Sequence, residues 1–421
     1  MAAKADEPPQ VGWVDNTPEA LQAWAQAWAE RYGGRPVAVV VEQCRGAVVA
    51  QLSQYGHVVV CPVAPALLAR YRQAFRSSGA KDDPGDARAL LDLFFRHPEQ
   101  CRPQRLDTVA TLTLQYLTED RRRLVEERGR AVQRLRARLQ PYFPQVLAWF
   151  GELDTPLVAA LLRRWPTLEA MQRARPDSVR RFLRAQGVHD GERVESLVAA
   201  VRAAVPATQD AALIEAGTPW VGHMVDLVEQ LQAAIADYEE RIEEVARAHP
   251  DYEIVRSFPG MGAALAPRLI AALGTDRERF RRASELQSWA GIAPVVIESG
   301  RKRQVRARWA CPQFVRQTFH EWAAHSIPHC GWAGRYYREQ LGRGAAPQAA
   351  IRALAYKWMR ILFRCWQERK PYSDAYYEQR LAARRSRAAA PAAPPAAPVE
   401  KTVQSLWKKE GGFYRPSSIS A

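Results

Sequence analysis

The chain of 421 residues has no apolar run approaching the ~20 residues that a bilayer span requires, and the aliphatic stretch Val37 to Val41 falls far short. Its opening MAAKADEPPQ has no apolar signal-peptide core. Both absences point to a soluble protein that stays where it is made. The six cysteines, Cys44, Cys61, Cys101, Cys311, Cys330 and Cys365, form no CxxC pair. Scattered thiols of this kind argue against a disulfide framework or a zinc ribbon, and suit the cytoplasm. No GxxxxGK[ST] phosphate loop occurs, so nucleotide-driven work is not indicated. His320 and His325 stand five apart, which takes them off the shared helix face that a zinc-protease motif needs. Lysine is scarce: 8 of the 60 basic residues are Lys and the rest are Arg.

What remains is ordinary globular material with a strong charge. Apolar residues make up 47% and charged residues 25% of the chain, which excludes disorder throughout. Sixty cations against 45 acids leave +15, the balance of a protein with a polyanionic partner, nucleic acid first.

The first segment mixes strand and helix signals. Residues 11–14 (VGWV) read as a short strand, and Asn16-Thr17-Pro18-Glu19 opens a helix running to about Tyr32. Residues 36–42 have the length and β-branching of a buried parallel strand; a helix from Ala47 and a strand over residues 57–62 follow. This is an α/β pattern. Residues 108–142 read as a long charged helix, and residues 154–205 as shorter helices broken at Pro166, Pro176 and Gly187. After Pro219, the positions Val221, Met224, Val228, Leu231, Ile235, Tyr238, Ile242 and Val245 recur at alternating three-four spacing. The spacing predicts a coiled-coil seam, hence a dimer or tetramer, with a helix packed inside its own chain as the alternative. A mostly helical domain follows Pro250, and the Ala/Pro-rich end reads as disordered. The resulting division is 1–107, 108–249, 250–381 and a disordered tail, 382–421.

Three places could carry chemistry. Glu42 sits at the carboxyl end of the aliphatic strand, where parallel sheets place ligands. Asp83 and Asp86 stand three apart at a helix start, close enough to share a hard cation such as Mg²⁺, although an acid next to Pro84 also suits an ordinary cap. The stretch Arg301-Lys302-Arg303-Gln304-Val305-Arg306-Ala307-Arg308-Trp309 puts five cations in eight positions with no acid between them, and then an aromatic ring. Phosphates and bases are the matching ligands. Ser299 precedes it on a Gly-followed turn, either as a turn residue or as a hydroxyl held among cations. Gly260-Met261-Gly262 is a turn that could cradle a phosphate or merely join two helices.

Taken in order, VDNTPEALQAW, the strand ending in Glu42, KDDPGDARAL, RRRLVEERGRAVQRLRARLQPYFP, SFPGMG, WAGIAPVVIESGRKRQVRARW and AYKWMRILFRCWQERKPY resemble the DEDD transposases of the insertion sequence 110 family, which are related to the Piv invertase. The resemblance implies a RuvC-like (RNase H-like) α/β domain, a coiled coil and an all-α transposase-20-type C-terminal domain. It also implies Mg²⁺ held by acids, a serine nucleophile, DNA as substrate and a structured guide RNA. Residue by residue, Glu42 matches the second acid, Asp83 the third, Asp86 the fourth and Ser299 the nucleophile. The first acid of the family lies on a first strand for which neither Asp6 nor Asp15 stands in. The expectation is therefore an N-terminally truncated, incomplete domain with weak or no recombination. A hydrolytic RuvC-like nuclease, or a remnant that only binds nucleic acid, are the alternatives.

Overall fold

A computed structural model describes residues 9–43, 46–75, 82–105, 107–300 and 302–389. The chain divides into two compact units, one formed by residues 1–252 with 263–285 and the other by residues 253–262 with 286–421.

The first unit begins with residues 11–14 in coil, not in the expected strand; Val11 and Trp13 are 56% and 77% exposed, so no partner covers them. Helix α1 (Pro18–Tyr32) starts where its residues dictate. The Thr17 hydroxyl accepts from the Ala20 amide at 3.2 Å, Pro18 occupies the first turn, and Gly33 closes the helix in the left-handed region at φ 59°. Strand β1 (Val37–Val41), helix α2 (Ala47–Leu52) and strand β2 (Val58–Pro62) follow, with β1 and β2 parallel in the register Val37 to Val58 through Val41 to Pro62.

Period-two alternation then assigns the two faces of this sheet. Val39, Val41, Val58 and Val60 pack with Leu21 and Ala25 of α1 and with Val49 and Leu52 of α2. Val40, Val59 and Cys61 turn to the opposite side, where they meet α3 (Pro65–Phe75) and α4 (Asp83–Arg96) through Leu67, Leu68, Leu90 and Leu93. The α/β expectation for this region holds as a two-stranded parallel sheet between helical layers.

Helix α5 (Val109–Leu139) is capped by Thr108. Five short helices follow: α6 (Gln145–Trp149), α7 (Pro156–Arg164), α8 (Leu168–Arg173), α9 (Pro176–Ala185) and α10 (Gly191–Ala203). The next helix, α11, spans Ala211–Arg247, eight residues earlier than the sequence pattern suggested, because Asp210 caps it and Pro219 is accommodated inside it. The seam expected to join separate chains is covered by α5 of the same chain. The two long helices run antiparallel, with Thr111 beside His249, Arg121 beside Glu239 and Tyr142 beside Gly217. Val221, Met224, Val228, Ile235 and Ile242 are thereby buried, and the first three share a core with Ala131, Leu135 and Leu139 of α5 and with the short helices. A three-four stripe specifies an apolar face and not its occupant, and here the occupant is intramolecular. Helix α13 (Leu265–Leu273) also packs on α5.

Part of the arginine charge of α5 is paired with acids. Arg121 pairs with Glu239, Arg122 with Glu126, Arg123 with Glu119 and Asp120, and Arg130 with Glu127. A buried polar junction fixes its first turn. The Asp251 amide donates to His249 Nδ1 at 3.1 Å, so Nε2–H faces Thr111 Oγ1 at 2.9 Å, and Asp251 forms an ion pair with Arg277.

The second unit contains most of α12 (Tyr252–Arg256), the end of α14 (Ala283–Trp289), strands β3 (Val295–Ser299) and β4 (Lys302–Arg306), and helices α15 (Gln313–His329), α16 (Gly331–Gly342), α17 (Pro347–Glu368) and α18 (Asp374–Ala389). Among the described residues it is helical apart from one antiparallel hairpin, which is consistent with the all-α expectation for this region. Helix α18 extends past 381 to Ala389, into the expected tail; residues 390–421 lie outside the described residues. The core of this unit is aromatic: Phe258 stacks on Tyr372 at 4.9 Å, Trp358 lies 5.3 Å from Trp322 and 4.5 Å from Trp332, and the Trp358 indole N–H donates to Ser326. Gly260 sits against this core at φ 73°, where a Cβ would come within 2.7 Å of the His325 backbone. The Pro259-Gly260 part of the SFPGMG turn is therefore packed on α15, with the Pro259 carbonyl accepting from the Trp322 indole, while Gly262 is exposed.

Candidate nucleic-acid and metal-binding site

Glu42 follows the last residue of β1 directly and is half-buried at the carboxyl end of the sheet, as its position in the sequence implies. At the start of α4 the capping role belongs to Asp82, whose carboxylate accepts from the Gly85 amide at 2.6 Å. That releases Asp83, which is exposed in the first turn. Asp86, three residues on, is 9% exposed and ion-paired with Arg72 of α3. A second clamp lies further along the same helix pair. The Tyr71 hydroxyl donates to Asp92 at 2.5 Å and, with Arg96, holds that carboxyl below the usual carboxylate range. Two acids of the candidate triad are thus placed on one helical turn, and that helix packs against the strand that the third directly follows.

Among the described residues, no three His, Cys, Asp or Glu side chains are gathered closely enough to hold a metal ion. The donor chemistry of Glu42, Asp83 and Asp86 nevertheless fits a hard divalent cation, being all carboxylate oxygen. Arg72 gives Asp86 a cationic partner.

Ser299 is the final residue of β3, opposite Lys302, the first of β4. The two-residue connection begins with Gly300 at φ 57°, the left-handed conformation that tight hairpin turns demand; Arg301 lies outside the described residues. The basic stretch is therefore not a loop but mostly a strand. Lys302, Gln304, Val305 and Arg306 are exposed, with Val305 at 64%, and Arg308 is half-buried. Arg306 donates to Gln304 at 2.8 Å. Trp309 is 75% exposed with the Arg316 guanidinium 5.7 Å from its ring centre, so a flat apolar face and a cation stand together. Sequence reasoning missed this hairpin and Arg316. The run of β-branched residues Val295, Val296 and Ile297, followed by Ser-Gly, carried the strand signal.

A family model described as "Transposase IS116/IS110/IS902 family" matches residues 252–338, and a DEDD transposase model of the IS110 type matches residues 10–144. The mini-circle candidate transposase for IS117 of Streptomyces coelicolor is 30% identical over 369 residues, covering 84% of this chain and 86% of the relative. The chain belongs to the IS110/IS116/IS902 transposase family. The IS116 44.8 kDa protein of Streptomyces clavuligerus is 27% identical over 73% of this chain and 76% of the relative. The IS900 42 kDa protein of Mycobacterium paratuberculosis is 28% identical over 72% and 75%. Membership of this insertion-sequence transposase family makes DNA the substrate class, and no described helix is long and apolar enough to cross a membrane. Glu42, Asp83 and Asp86 lie within the match over residues 10–144 and Ser299 within the match over residues 252–338.

Proposed function

We propose that this transposase is a site-specific recombinase that cuts and rejoins insertion-sequence DNA through Ser299. The observation that carries the proposal is the position of Ser299, at the tip of an exposed cationic hairpin. A hydroxyl there meets a phosphodiester unobstructed, and the cations around it oppose the negative charge that builds on the phosphoryl oxygens. Attack forms an Oγ–P bond and breaks the P–O bond to one deoxyribose. The serine proton is lost and the departing sugar oxygen is protonated. Attack by a different sugar hydroxyl on the phosphoserine reverses these bonds and joins new ends, so phosphodiester energy is conserved and no external energy source is needed.

Glu42, Asp83 and Asp86 would hold a divalent cation, Mg²⁺ by the family resemblance, with Asp86 exchanging its Arg72 partner for the ion. When bound, that ion supplies Lewis-acid charge on phosphate oxygens. The RuvC-like character of the α/β layer and a structured guide RNA belong to the same proposal. They rest on the family resemblance and on the chain's +15 charge.

The test is excision and joining of a plasmid-borne element by the wild-type chain and by Ser299→Ala, Asp83→Asn and Glu42→Gln. Loss of product in all three, with DNA binding retained, is expected. Unchanged product from Ser299→Ala overturns the serine mechanism, and unchanged product after ribonuclease treatment overturns RNA guidance.

A further inference from the structure

The β3–β4 register sorts the basic stretch into two chemically different faces. Side chains alternate along a strand, and directly paired residues share a face. Ser299 pairs with Lys302, Ile297 with Gln304 and Val295 with Arg306, so these six occupy one face. The 2.8 Å bond from Arg306 to Gln304, two residues apart on β4, agrees with that placement. On the other face Val296 pairs with Val305 and Glu298 with Arg303. Among these paired positions, the face bearing Ser299 has two cations and no acid, whereas on the opposite face the one cationic position stands across from a carboxylate.

We propose that the hairpin enters a groove of duplex DNA with the Ser299 face on the phosphate backbone, so that Lys302 and Arg306, and not Arg303, make the phosphate contacts. The major groove of B-DNA, about 12 Å wide, admits a two-stranded ribbon. The deep, narrow major groove of A-form RNA does not. Four residue steps along β4 lead from Lys302 to Arg306, about 13 Å at strand rise. That spacing lets Lys302 reach a phosphate on one wall, beside Ser299, while Arg306 reaches the other. Lys302 would then be the cation nearest the phosphate that Ser299 meets.

The inference rests on the DNA-facing reading of the hairpin given above, but not on Ser299 being the nucleophile. Its test uses the full chain carrying Ser299→Ala, which blocks cutting, and a DNA duplex of about 30 base pairs titrated over a range of NaCl. Each lost phosphate contact lowers the slope of log affinity against log salt by about 0.9. Lys302→Ala and Arg306→Ala are each expected to lower it by about that amount, and the double variant by about twice as much, while Arg303→Ala leaves it unchanged. Lys302 and Arg306 are exposed and all three positions lie on β4, so unaltered circular dichroism serves as the folding control. An Arg303→Ala slope that falls as far as that of Lys302→Ala overturns the face assignment, as does a Lys302→Ala/Arg306→Ala double variant with the wild-type slope. An RNA duplex that shows the same losses overturns the choice of DNA. If the slopes behave as expected while Ser299→Ala protein still joins DNA, the nucleophile reading fails and the face assignment stands.

Discussion

Ile235 lies midway along the α11 stripe and retains 6% of its surface, so its replacement tests whether that stripe is filled from within the chain. Ile235→Ala removes about three methylene equivalents from a buried site, each worth about 0.8 kcal/mol. The transfer loss is about 2.4 kcal/mol, and the cavity left behind brings the total to about 3 kcal/mol. Ile235→Asp leaves a carboxylate facing α5 and should cost several kcal/mol more. Guanidinium denaturation followed by far-UV circular dichroism, at two protein concentrations tenfold apart, separates the two possible occupants. If α5 covers the stripe, the Ala variant loses about 3 kcal/mol and its midpoint is independent of protein concentration. A midpoint that rises with concentration, or an Asp variant that keeps its helicity while its mass in solution halves, refutes the intramolecular packing.

Two further outcomes follow from the packing of each unit. Gly260→Ala places a Cβ 2.7 Å from the His325 backbone at a φ of 73°, and should lower stability by roughly 3 kcal/mol or more, as overpacking adds to left-handed strain; a loss under about 1 kcal/mol in a denaturant titration would count against the close turn. His249 is held neutral by burial, which lowers its pKa below the ordinary 6.5 despite the nearby Asp251. The unfolded chain then takes up a proton near 6.5 that the folded chain resists. The contribution is therefore complete above that value and is lost as pH falls below it, down to the folded-state pKa. Stability of the wild-type chain should drop between pH 7.5 and 5.5 more than that of His249→Gln. Burial pushes His320, in the other unit, the same way, so equal slopes in the two proteins would show that His249 does not contribute.

Much of this architecture is legible in the residues because its signals are local. Thr17-Pro18 and the left-handed Gly33 bound α1, and five consecutive β-branched or small residues mark β1. The acids at the sheet end and the helix start could be picked out for the same reason. The occupant of a stripe is not local information. The α11 spacing predicts a helix with an apolar face, but α5, its partner, lies about a hundred residues earlier and shows so many arginines that its buried Ala131, Leu135 and Leu139 are hard to see. Nor did the cap assignment follow from composition, since Asp82, Asp83 and Asp86 are all plausible caps until the bond from the Gly85 amide selects Asp82. The hairpin was hidden for a different reason: Lys302 to Arg306 reads first as charge, and only its pairing with Val295 to Ser299 makes it a strand. Residues 11–14 are the converse case, having strand composition but lying exposed in coil.

The most direct measurement on the central claim is the identity of the atom that becomes attached to DNA. Wild-type chain reacting on its own element in the presence of Mg²⁺ is denatured rapidly, digested with trypsin and nuclease, and the nucleotide-bearing peptide sequenced by mass spectrometry. A single adduct on Ser299, absent from Ser299→Ala protein that still binds the DNA, is the predicted result. Strand exchange with no attached peptide, or with the adduct on another residue, would contradict it.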